Sequence, residues 1–291
     1  MHWYTAYGLT FASDIPLPEL TETKAGHADV RVVLGATPES IDNPTITRRF
    51  WSANDDEWLQ TVEGVARYHV SDGTTIAIEQ WGSDRDVRAY LFGSTIGALL
   101  HQRRWLTLHA SSFLVDGKAV LVAGQSGAGK STTLAAVIER GFTMVTDDKT
   151  VVFPDGDRLV TVPGHPTVRL HEDAISGAGR SVDGLATLLD SGEKYLWRAP
   201  EIHEGTVEVG ALYLLRKGAV EEIAVSPMVG HAAFRAILAA TYRRPIVEGL
   251  GIGGLHFTLA SRLADSVPIF RIVRPADGQT VAAVADVVTA A

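Results

Sequence analysis

Through residue 85 the apolar positions come in short runs separated by turn residues, a pattern of strands rather than helices. Val30, Val32 and Val33 mark a strand within residues 28–34. Residues 64–70 and 74–78 read as a hairpin about Asp72-Gly73. Pro16-Leu17-Pro18 and the polar stretch 42–57 read as loops. From residue 84 to 106 the period lengthens. Val87, Tyr90, Leu91, Ile96, Leu99 and Leu100 mark an amphipathic helix that ends near Arg103-Arg104. A second hairpin follows, 108–115 and 118–123 about Asp116-Gly117. Residues 132–140 then have helical spacing, with Gly141 placed as a C-cap.

Downstream, residues 142–145 read as a buried strand, and 150–162 as two short strands about Pro154-Asp155-Gly156. Residues 173–189 read as loop and helix, 209–215 and 268–273 as strands, and 230–242 and 280–289 as helices. Such mixing predicts an α/β chain, α+β overall, built on a mixed sheet. A smaller β-rich N-terminal region spans 1–85, and a larger unit spans 86–291.

Between the second hairpin and the helix after it lies Gly124-Gln125-Ser126-Gly127-Ala128-Gly129-Lys130-Ser131, a phosphate-binding P-loop. Its glycines let successive backbone N–H groups reach phosphate oxygens, and the following helix adds the positive end of its dipole. Lys130 supplies a point charge for the β- and γ-phosphates, and the Ser131 hydroxyl is a ligand for Mg²⁺. At average residue frequencies such a string arises by chance in roughly one chain of this length in a hundred. The strand-loop-helix setting makes chance rarer still. The expected nucleotide contacts are Gly124, Ser126, Gly127, Ala128, Gly129, Lys130, Ser131 and Thr132, with ATP and Mg²⁺ as the bound species.

Composition narrows the class. The chain has 291 residues, 26 basic against 34 acidic, for a net charge of −8. That balance argues against a nucleic-acid binder, which usually displays a basic face. With no cysteine, thiolate catalysis, disulfides and Cys-ligated zinc are excluded. The first eight residues lack the layout of a signal peptide, and no apolar run approaches the ~20 residues needed to cross a bilayer. The expectation is a soluble cytoplasmic protein.

Two features beside the loop carry chemistry. The strand after the P-loop helix delivers Asp147-Asp148, a pair where many P-loop enzymes place one acid. One carboxylate can accept a proton from an incoming hydroxyl while the other helps hold the metal. Side chains of successive strand residues point to opposite faces, which fits such a division. His109 lies early in the second hairpin, and pairing across Asp116-Gly117 brings it toward the P-loop entrance. A cation from outside the loop is also expected, and Arg169, Lys194 and Arg198 are the candidates. Glu201, His203 and Glu204 read as a solvated loop rather than a metal cluster, and Arg243-Arg244-Pro245 as the end of a helix.

Leu108-His109-Ala110-Ser111, the P-loop, and Gly141-Phe142-Thr143-Met144-Val145-Thr146-Asp147-Asp148 together resemble the catalytic domain of HPr kinase/phosphorylase. Tyr7-Gly8-Leu9, the stretch from Ser13 to Leu20, Pro163-Gly164-His165-Pro166 with Arg169-Leu170, and Val267-Pro268-Ile269 are similar to HPr-kinase-related proteins found beside peptide-maturation genes, including those of lasso peptides. The resemblance implies a Mg-ATP-dependent kinase that phosphorylates a serine hydroxyl of a peptide or small protein, in particular a ribosomal precursor peptide. It implies Asp147 as the base, Asp148 and Ser131 at Mg²⁺, and His109 beside the base. Alternatives are an ATP-driven switch that presents a peptide without phosphorylating it, and a kinase of a small-molecule hydroxyl. The bifunctional relatives are hexameric, which leaves a homo-oligomer open. Departures in the N-terminal region and after the Asp pair leave phosphorylase activity and HPr as substrate unsupported.

Overall fold

β1 (His2–Ala6), β2 (Leu9–Ser13), β3 (Thr21–Glu22), β4 (Val30–Leu34), β5 (Ile46–Thr47), β6 (Trp51–Ala53), β7 (Glu57–Val62), β8 (Ala66–Ser71) and β9 (Thr75–Gln80) pair into one mixed sheet. Its order is β3-β1-β2-β4-β9-β8-β7-β6-β5. The computed structural model describes residues 1–177, 180–189, 192, 194–276 and 280–290. The β8–β9 hairpin turns at Asp72-Gly73, both with positive φ, within a three-residue loop, 72–74, between Ser71 and Thr75. Alternation places Tyr68, Val70, Ile76 and Ile78 in the core.

The helix expected over 84–106 is interrupted. It divides into α1 (Asp84–Tyr90), a π-helical turn Leu91–Thr95 and α2 (Ile96–Gln102). The break sits at Gly93, whose φ/ψ of −95/−115 leave the helical region. Apolar residues recur on both sides of the break, so local composition reads one helix. Val87 and Ile96 would lie about 180° apart on an unbroken one, and the break lets both sets face the same core. Val87, Leu91, Phe92, Ile96, Leu99 and Leu100 all pack into a core that joins the first sheet to Val151, Val162, Ile246 and Leu250.

The second sheet is built from β10 (Leu106–Leu108), β11 (Ala110–Val115), β12 (Lys118–Ala123), β13 (Met144–Thr146), β14 (Thr150–Asp155), β15 (Arg158–Thr161), β18 (Val207–Gly218), β19 (Ala224–Met228) and β20 (Ile269–Pro275). β16 (Thr167–His171) and β17 (Lys194–Arg198) form a separate antiparallel pair. β12 and β20 run parallel to β18 on either side of it, while the hairpins around them run antiparallel, so the sheet is mixed as expected. Ala119, Leu121 and Ala123 of β12 pack against α5 (Gly230–Ala240) and α7 (Gly253–Ser266), whereas Val120 and Val122 pack against α3 (Lys130–Glu139) and α8 (Val281–Thr289). A strand covered on both faces reads as a continuous apolar run, and 119–123 does.

α3 ends in a Schellman turn. The Gly141 N–H donates to Ile138 O at 2.9 Å and the Phe142 N–H to Val137 O at 3.3 Å, with Gly141 at φ 91. α4 (Glu172–Gly177) falls in the region read as loop and helix, and two further helices lie outside the elements read from sequence: α6 (Pro245–Gly249) and α7. Residues 178 and 179, within the expected loop-and-helix region 173–189, lie outside the described residues. No helix among the described residues is long and apolar enough to cross a membrane.

Candidate active site

β12 and α3 meet at the P-loop. Gly124 must be glycine, because a Cβ there would stand 2.3 Å from the backbone oxygen of Leu215 on the neighbouring β18. The loop is braced from behind by Arg274 of β20, whose Nε donates to Ala128 O at 3.0 Å. Lys130 is buried, and its ammonium donates to Gly124 O at 3.0 Å and Gln125 O at 3.4 Å. Burial lowers its pKa, and the Asp147 and Asp148 carboxylates oppose that shift.

The expected strand 108–115 is broken at His109. β10 pairs with β14, β11 pairs with β12 and β13, and His109 stands at the switch between partners. Ala110 pairs with Ala123, so His109 follows on toward Gly124 and the P-loop entrance, the direction expected from the hairpin. Its backbone N–H donates to Ala240 O at 2.7 Å, tying the break to the end of α5. The imidazole Nδ1 lies 3.5 Å from Asp148 Oδ1. Burial first, then the charge of Lys130, pushes His109 down to about 4, against the pull of Asp148.

β13 ends at Thr146, and the acidic pair follows in opposite directions. Asp147 is fully buried. Its Oδ1 accepts the Ser111 hydroxyl at 2.6 Å and the Ser131 hydroxyl at 3.1 Å, and its Oδ2 accepts the Arg169 N–H at 3.2 Å. Asp148 has a φ of 66, a left-handed conformation uncommon outside glycine, which turns its carboxylate away from Asp147. Asp148 Oδ2 is paired with Lys149 Nζ and with Arg169 Nη1, the latter at 3.2 Å. Burial alone would raise its pKa, but the Lys149 ammonium and the Arg169 guanidinium hold it far below the usual carboxylate range.

Of the three candidate cations, Arg169 on β16 enters the site, and its Nη2 also donates to Phe92 O at 3.0 Å. Lys194 pairs opposite His171 on β17 and is close enough for its charge to act on His109 and Lys130. Arg198 lies elsewhere, exposed, with its Nη1 on Pro18 O at 3.3 Å. Strand alternation explains the split: β16 turns Arg169 inward, while Arg198 sits at the far end of its partner.

Sequence reasoning missed Lys149, Tyr242 and Arg274. Lys149 is completely buried, and its Nζ also donates to Phe92 O at 2.7 Å from the π-helical turn. A lysine directly after two aspartates was the available signal. Tyr242 stacks on the His109 ring. Among the described residues no three His, Asp or Glu side chains gather as a self-sufficient metal cluster, so Glu201, His203 and Glu204 form none.

Two cavities flank the P-loop and share Gly124, Gln125, Ser126, Ala239 and Ala240. One, of about 510 Å³, is lined by His109, Asp148, Arg169, Tyr242, Arg243 and, from the helical break, Gly93 and Ser94. The other, of about 540 Å³, has an apolar wall of Leu214, Met228 and Ala236, with Arg216, Lys217 and Arg271 around it.

No protein-family model matches the chain, and no curated protein matches it. Among solved structures it is similar to the HPr(Ser) kinase/phosphatase from Coxiella burnetii, at 15% identity, over 63% of this chain and 93% of that one, with a TM-score of 0.35.

Proposed function

We propose that the protein is a Mg-ATP-dependent phosphotransferase acting on a hydroxyl group. The observation that carries the reading is the separation of the acidic pair: Asp147 is bonded to the P-loop hydroxyl of Ser131, while Asp148 faces a cavity with His109 and Arg169. Hydrolysis needs room for one water. A cavity of about 510 Å³ beside the loop is in the size range of a site for a larger acceptor.

The oxygen donors at Ser131 and Asp147 fit a hard cation such as Mg²⁺, which usually takes one or two protein oxygens together with phosphate and water. When bound, Mg²⁺ would neutralise charge on the phosphate oxygens. The roles implied by the resemblance are thereby exchanged: Asp147 joins Ser131 at the metal, and Asp148 becomes the carboxylate that meets the acceptor. Lys130, now resting on loop carbonyls, has only to swing its ammonium onto the phosphates. Free backbone N–H groups of the P-loop would donate to the same oxygens. The apolar wall of the second cavity suits a nucleobase.

Asp148, held ionised by two cations, is a weak base. That suffices for a loose transition state, in which the acceptor proton leaves late and the carboxylate chiefly orients the hydroxyl. His109, held neutral, adds no positive charge beside Lys130. Following the resemblance, the acceptor is a serine of a ribosomal precursor peptide, such as a lasso peptide precursor, phosphorylated in the cytoplasm. Mass spectrometry of serine-containing peptides after incubation with Mg-ATP tests this reading. Phosphoserine on a peptide supports it. ADP and phosphate with every peptide unmodified would favour the switch, and a phosphorylated free metabolite would favour a small-molecule acceptor.

A further inference from the structure

Beyond lining the acceptor cavity, Tyr242 has no part in that scheme, yet contacts from three segments converge on it. Its ring lies almost parallel to the His109 imidazole, with centroids 5.7 Å apart and an interplanar angle of 18°. On the same ring sits the Lys149 ammonium, 4.5 Å from the centroid. The Tyr242 N–H donates to Thr107 O at 2.9 Å, and its carbonyl accepts from His101 Nε2 at 2.8 Å. Gly97 of α2 makes room for the ring: a Cβ there would stand 2.5 Å from Tyr242 Cε1.

These contacts bind segment 240–242 to segment 107–109 as one unit. The His109 N–H is held by Ala240 O, Leu108 bridges Thr241, and Tyr242 returns its N–H to Thr107. Backbone pairing fixes where the His109 ring begins but not its rotation about χ2, which is a broad, two-fold torsion. At 3.5 Å, the approach to Asp148 is too long to lock it. The stacked ring of Tyr242 supplies that constraint. For Lys149, whose four-carbon stem is flexible, the ring face offers a second anchor besides Phe92 O.

We propose that Tyr242 is a positioning residue whose ring holds His109 and Lys149 in the arrangement that aims Asp148 at the acceptor. The inference rests on the phosphotransfer reading. The ring, not the hydroxyl, performs the task, so phenylalanine can replace tyrosine.

The test compares Tyr242→Leu and Tyr242→Phe by two readouts. The first is the ring-current shift of the His109 Hε1 resonance. The second is steady-state turnover of Mg-ATP with water as acceptor. Tyr242→Phe is expected to keep both. Tyr242→Leu is expected to move the resonance downfield and lower kcat by about tenfold or more with the KM for ATP unchanged, the signature of lost positioning rather than lost binding. Should Tyr242→Leu fold poorly, Gly97→Ala displaces the ring without removing it and is expected to show the same two changes. An unmoved His109 resonance, an unchanged kcat in Tyr242→Leu, or a Tyr242→Phe as slow as Tyr242→Leu would overturn the inference. A wild-type protein that neither binds nor turns over Mg-ATP overturns the phosphotransfer reading with it. A wild type that turns over ATP beside an indifferent Tyr242→Leu overturns this inference alone.

Discussion

The Ser131 hydroxyl donates to Asp147 Oδ1 across 3.1 Å, joining the residue after β13 to the hydroxyl of the P-loop. On the proposed reading, both oxygens would hold Mg²⁺. Replacing Asp147 by Asn keeps the size of the side chain but removes its charge. Metal-free nucleotide binding is expected to persist in that variant, while Mg²⁺-dependent turnover falls by about 10²–10³-fold. Titration calorimetry with ADP, with and without Mg²⁺, checks the first half. A variant with normal Mg²⁺ dependence would remove Asp147 from the metal.

Lys149 tests the electrostatics around Asp148. Its ammonium is buried and divided between Asp148, Phe92 O and the Tyr242 ring. Lys149→Met leaves Asp148 with Arg169 as its main cation. Breaking a buried pair usually costs ~3–5 kcal/mol, and the remaining guanidinium places the expected loss at the lower end. Urea unfolding measures it. An unchanged midpoint would mean that Arg169 alone satisfies the carboxylate.

Stability is expected to fall as pH drops from about 6.5 to 4. Burial pushes His101 and His256 down to about 4 and His165 to about 3. In that window the unfolded chain binds protons that the folded chain does not, so unfolding free energy rises with pH, by up to ~1.4 kcal/mol per pH unit for each such histidine. His101→Gln keeps a donor for the Tyr242 carbonyl and is expected to reduce the slope by about one proton. Denaturant titrations at several pH values read the slope directly. A flat profile would contradict neutral burial of these rings.

Gly124 is the backbone test of the loop. Gly124→Ala forces a Cβ toward Leu215 O, so the loop must move away from β18. Overpacking of this kind costs ~1–3 kcal/mol, here expected as ADP binding weakened by about tenfold or more with the fold intact. Unchanged ADP affinity would show that the observed loop position is not needed for binding.

The parts of the site that were legible in the sequence are those closed by local rules. The P-loop, the Asp116-Gly117 turn and the Gly141 cap each depend on a few neighbouring residues, and the hairpin alone directs His109 toward the P-loop entrance. What stayed hidden depends on distant partners. The His109 break requires β14 and the end of α5, two segments whose placement no local period specifies. Arg169 and Arg198 looked equivalent as polar residues until their strands were paired. Asp147 and Asp148 were expected to diverge, and they do. Which of them meets Ser131 was decided by the left-handed turn at Asp148, a conformation that sequence does not announce. Tyr242 needed Gly97 on a helix far away in the chain.

The central claim is that Asp148 faces the acceptor while Asp147 serves the metal. Phosphate transfer from γ-labelled Mg-ATP to a serine-containing peptide, followed in the wild type and in Asp148→Asn, addresses it most directly. The account predicts that Asp148→Asn binds Mg-ATP normally and loses transfer by about 10²-fold or more. Transfer at the wild-type rate in Asp148→Asn would contradict it.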